Sequence, residues 1–73
     1  MSEEELYRRL EGEMADEDRG QKVELEVDVA GGDRIYGRLV SLSEFVLGLR
    51  DGKRVIEVDL REMRGYRREP VVL

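Results

Sequence analysis

The chain has 73 residues and no cysteine, histidine or tryptophan, so it makes one domain near the lower limit for a self-sufficient core. Disulfides, thiolate or imidazole metal sites and the common nucleophile–base pairs are excluded. The net charge of −5 sits in residues 1–20, where eight acids face three arginines, while residues 21–73 balance ten acids with ten bases.

That distribution lacks the broad basic footprint of a duplex-binding protein. No apolar run approaches the roughly 20 residues a bilayer requires, and no signal-peptide pattern opens the chain. A cytoplasmic protein without membrane contact is expected. No cofactor is implied, and no acid/base constellation emerges that would make it an enzyme.

Ser2 followed three residues later by Glu5 has the spacing of a capping box, and Glu3, Glu4 and Glu5 suit the positive end of a helix dipole. Leu6, Leu10 and Met14, with Tyr7 alongside, place one apolar stripe on a short helix. The polar stretch Ala15–Gln21 contains Gly20 and reads as a linker, so residues 1–21 form an acidic helix and linker. A helix this short needs a partner surface. It either covers an open barrel end or binds another protein.

Residues 22–69 read as five strands. Lys22–Val29 alternates apolar and acidic residues, the period of a half-buried strand. Ala30-Gly31-Gly32-Asp33 makes a hairpin turn, because glycine accepts the positive φ such turns need. The second strand, Arg34–Leu42, carries Gly37 at a bend. After Ser43-Glu44 the third strand runs Phe45–Arg50, apolar on both faces. Asp51-Gly52 predicts a type I′ turn into Arg54–Asp59. Leu60-Arg61-Glu62 is a single helical turn before a fifth strand, Met63–Arg67. Glu69-Pro70 closes the domain, and residues 70–73 form an apolar tail. The fold class is mainly β: an N-terminal α-helix followed by a five-stranded, strongly bent antiparallel small barrel of the Sm-like or SH3-like kind.

Gly31-Gly32, Gly37, Leu39, Ser41, Phe45 and Val46, followed by Arg64-Gly65, resemble the two motifs of the Sm-like superfamily, with its Hfq branch the nearest match. The resemblance implies a homo-oligomeric ring, hexameric or heptameric, in which the fourth strand of one subunit pairs with the fifth of the next. It also implies single-stranded RNA around the pore. Carried onto this chain, the RNA-binding residues are Phe45, as a base-stacking aromatic, and Arg64-Gly65. Arg61, Tyr66 and Arg67 join them as arginines interleaved with an aromatic.

Several positions depart from the family pattern. Ser43 replaces the motif aspartate, Glu44 a glutamine and Leu47 an asparagine, and Glu57-Val58 falls where a Lys-His pair belongs. A cation that would face phosphate has become an anion. The alternative is a non-enzymatic protein-interaction or assembly domain that has lost RNA binding. The run Gly37–Met63 is also similar to the C-terminal barrel of ribosome maturation factor P, which points to a protein partner.

Overall fold

The structure, a computed structural model, describes residues 2–69. Helix α1 spans Glu3–Asp18, with the Ser2 hydroxyl accepting from the Glu5 amide at 3.2 Å. It runs one turn further than the sequence suggests, into the stretch read as linker. The helix stops at Gly20, whose φ of +93° places it in the left-handed region. The Gly20 amide donates to the Glu17 carbonyl and the Gln21 amide to the Asp16 carbonyl, which makes a Schellman cap. Gly20 therefore ends the helix rather than lying within a flexible link.

Five strands follow: β1 Glu24–Val29, β2 Arg34–Ser43, β3 Val46–Asp51, β4 Arg54–Asp59 and β5 Met63–Arg68, with a 3-10 turn at Leu60–Glu62 before β5. Their order across the sheet is β4-β3-β2-β1-β5, every neighbouring pair antiparallel. The sheet bends but does not close, which leaves β4 and β5 as its two edges. Gly37 lies at the bend opposite Leu25. A Cβ there would meet the Arg50 carbonyl oxygen and the Leu49 Cβ at 2.9 Å each, so only glycine lets β2 cross β3 this closely. A register shift between Leu39 and Ser41 adds to the bend.

Leu25 and Val27 of β1, Leu39 of β2 and Leu49 of β3 are fully buried beneath Leu6 and Leu10 of α1. The helix thus covers the concave side of the sheet. Its far end is tied by Glu17, whose carboxylate accepts from the Val23 amide at 2.8 Å and from the Arg38 guanidinium through two nitrogens.

Two turns differ from the sequence reading. Asp51 pairs with Arg54, so the β3–β4 loop is Gly52-Lys53, and only Gly52 has positive φ. That is the type II′ pattern, not I′. Between β2 and β3 the loop is Glu44-Phe45, with φ of +44° and +66°. Phe45 therefore leaves the third strand and occupies a left-handed turn position, at a cost of about 1–2 kcal/mol for a residue other than glycine. Pro70 and the apolar tail lie outside the described residues.

Candidate functional site

The arginines expected to gather around Tyr66 are dispersed by strand alternation and by acidic partners. Arg61 is held by both carboxylate oxygens of Asp59, the residue that also caps the 3-10 turn. Arg67 stands opposite Glu26 in β1 and bonds its carboxylate, which Arg34 also contacts. Arg68 reaches back to Asp16 at 2.8 Å and to Glu13, fastening β5 to α1. Tyr66 faces the core side, half-buried, and burial is the main cause that pushes its hydroxyl pKa up. Gly65 faces Asp28. Arg64 alone of the set is exposed without an ion pair among the described residues.

Glu26 is the one buried charged residue among those described, at 4% exposure. The bond from Arg67 is the chief reason its carboxyl is held below the ordinary carboxylate range. Glu69 moves the opposite way, raised chiefly by its hydrogen bond to Glu26. A buried carboxylate between two arginines and a second carboxyl is a structural knot, and it consumes the charges a phosphate would need.

Phe45 is 44% exposed, and its ring packs on Tyr7 of α1 with centroids 5.1 Å apart. Its carbonyl accepts from the Leu60 amide. It is thus brought next to the helix and separated from Tyr66 and Arg67. The six residues expected at an RNA site do not converge.

Unpaired cations lie elsewhere. Arg50, Lys53 and Arg54 surround the β3–β4 turn, exposed and without ion pairs among the described residues. Arg50 and Tyr36, 53% exposed, line a common groove of about 370 Å3 on the sheet. Glu24, Asp51 and Glu69 line it as well. This grouping was missed in the sequence, although bases on both sides of Asp51-Gly52 are a visible signal. The contact of Tyr36 with that end of the sheet follows only from the β2–β3 register.

The edges form the second surface. Asp51 and Arg54 close a two-residue turn, so they exchange backbone hydrogen bonds, and the phase alternates from there. Ile56 and Val58 then bond to β3, while Val55 and Glu57 aim N–H and C=O away from the sheet. On β5, the Glu69 amide donates to the Glu24 carbonyl, which fixes the opposite phase. Arg67 and Gly65 face β1, and Tyr66 and Arg68 turn their backbone groups outward, while Arg64 is the extra residue at the register shift opposite Asp28 and Val29. Val55, at 56% exposure, is an unusually open valine for a strand.

Among the described residues, no helix is long and apolar enough to cross a membrane, and no group of three potential ligands is placed to hold a metal ion. No protein-family model, curated protein or solved structure matches the chain.

Proposed function

We propose that this chain is a non-enzymatic assembly module whose copies join edge to edge, β4 of one against β5 of the next. The observation that carries the reading is the pair of unpaired edges on one open five-stranded sheet. Such edges are templates for a further strand, and pairing them satisfies backbone groups that otherwise need water. The side chains favour one antiparallel register, in which Val55 stands opposite Tyr66 and Glu57 opposite Arg64 of the neighbouring copy. A β-branched residue beside an aromatic and an acid beside a base are each worth about 0.2–1 kcal/mol across a strand pair. The register shifted by two sets Glu57 against Tyr66 and Val55 against Arg68, which is already committed to α1.

Two different edges make a head-to-tail contact, which repeats until it closes as a ring or extends as a filament. A ring agrees with the Sm-like resemblance, whose own pairing uses these two strands. The charge pair supplies the test. Glu57→Arg or Arg64→Glu alone places like charges opposite and weakens assembly several-fold, while the double substitution restores it. Additive losses in the double variant would rule out this register.

A second reading, a single-stranded RNA module, is favoured by one observation: exposed Tyr36 shares a groove with Arg50 next to unpaired Lys53 and Arg54. Stacking on tyrosine with arginine on phosphate is sound chemistry for a single strand. It moves the RNA contact from Phe45 to the β3–β4 turn. Affinity for oligo-U and oligo-A at two salt concentrations separates the readings. RNA binding requires an affinity that falls with salt and drops in Arg50→Ala; the assembly module shows neither.

A further inference from the structure

A shallow trough of about 210 Å3 runs between α1 and β2, lined by Tyr7, Glu11, Met14, Ala15, Asp18 and Leu42. Tyr7, Glu11, Met14 and Asp18 recur at three- and four-residue spacing, so they share one flank of the helix, beside the face that covers the core. Phe45 continues this surface, its ring against Tyr7 and nearly half exposed. The left-handed backbone of Glu44 and Phe45 holds the ring there, although the turn would be relaxed with glycine. Tyr7, Met14 and Leu42 are only half-covered. The trough floor is apolar and still open to solvent.

Its rim is acidic: Glu11 and Asp18 line it, and Glu44 precedes Phe45 on the adjoining turn. All three are exposed, and none has an ion pair among the described residues. Arg8 is engaged with Glu4, Arg61 with Asp59 and Arg38 with Glu17, while Arg50 shares a neighbouring groove with Met14 and Asp18 without forming an ion pair to either. An apolar seat with unpaired carboxylates around it is complementary to an apolar side chain flanked by cations.

We propose that this trough docks a basic amphipathic segment of another protein. One large apolar side chain sits against Tyr7, Met14, Leu42 and Phe45, and lysines or arginines on either side meet Glu11, Asp18 and Glu44. Nucleic acid is disfavoured here, because three carboxylates repel phosphate. A second copy of the chain brings its own net charge of −5 to the acidic rim. The volume fits one side chain, so the contact is a weak, salt-sensitive one.

The test titrates the full chain by calorimetry with an amphipathic leucine/lysine helical peptide and with its leucine/glutamate counterpart. The lysine peptide should bind and the glutamate peptide should not. The double reversal Glu11→Lys with Asp18→Lys should weaken binding about tenfold. The reversal Asp33→Lys with Asp51→Lys, equal in charge but outside the trough, should change it by less than about threefold. Phe45→Gly removes the ring and relaxes its turn, so it should lose affinity without losing the fold. Failure of the lysine peptide to bind, or equal weakening by both reversals, overturns the proposal. Undiminished binding in Phe45→Gly does so too. Sedimentation of the protein alone covers the remaining occupant: a mass that falls in the Glu11/Asp18 reversal assigns the trough to a second copy instead.

Discussion

Phe45 pays for its position twice, through a φ of +66° and through an aromatic ring left nearly half in water. The compensation is the contact with Tyr7, of a kind worth about 0.5–1.5 kcal/mol beyond buried area. These terms have similar size, which sets up an inverted order of substitutions. Phe45→Ala keeps the left-handed strain and loses the ring, while Phe45→Gly loses the ring and the strain together. Urea unfolding should therefore find the glycine variant more stable than the alanine variant by about 0.5–1 kcal/mol. At an ordinary strand position, where periodicity places Phe45, the order would be reversed. Periodicity could not distinguish the two, because Ser43-Glu44-Phe45 contains no glycine, asparagine or aspartate, the residues that announce a positive φ. Gly37 was legible for the opposite reason. A glycine inside a β-branched strand marks a bend or a close backbone approach. The structure supplies that approach at the Arg50 carbonyl and the Leu49 side chain.

At the scale of elements, α1 is joined to the sheet by Leu6 and Leu10 at its centre and by Glu17 near its end. The apolar part was visible as a four-residue repeat. The Glu17–Arg38 tie was not, since the two residues lie 21 apart and either one reads as a solvated charge. The bonds from two Arg38 nitrogens to one Glu17 oxygen are the main cause that holds the Glu17 carboxyl below its ordinary value. The folded chain then binds that proton more weakly than the unfolded chain. The stabilisation is complete above the ordinary glutamate range and is lost as pH falls towards the depressed value. Glu69, raised chiefly by its bond to Glu26, works the other way, complete in acid and lost as pH rises through the raised value. Thermal unfolding of Glu17→Gln between about pH 3 and 7 should show a flatter acid limb than the parent and a loss of about 1 kcal/mol near neutrality. An acid limb identical to the parent's would mean that Glu17 contributes nothing.

The succession of five strands and the positions of the turns at Ala30–Asp33 and after Asp51 could be read from glycine placement and alternation, but the pairing of β5 with β1 could not. The arginine surface could not, because pairing across strands decides which charges remain free. Arg61, Arg67 and Arg68 look alike in sequence. In the fold each meets a carboxylate from a different element: Asp59, Glu26 and Asp16. Arg50 and Arg54 lie beside Asp51, yet they have no such partner among the described residues.

For the molecule as a whole, the central claim is that the open edges of β4 and β5 join copies. Its most direct test is the mass in solution of the parent chain and of Glu57→Pro, by light scattering coupled to size exclusion. The Glu57 amide points away from β3, so proline removes an edge donor without breaking the internal ladder. The parent should have a mass several times its 8.5 kDa chain at micromolar concentration. Glu57→Pro should fall to 8.5 kDa with its circular dichroism unchanged. A monomeric parent, or a proline variant that keeps the parent's mass, would contradict edge-to-edge assembly.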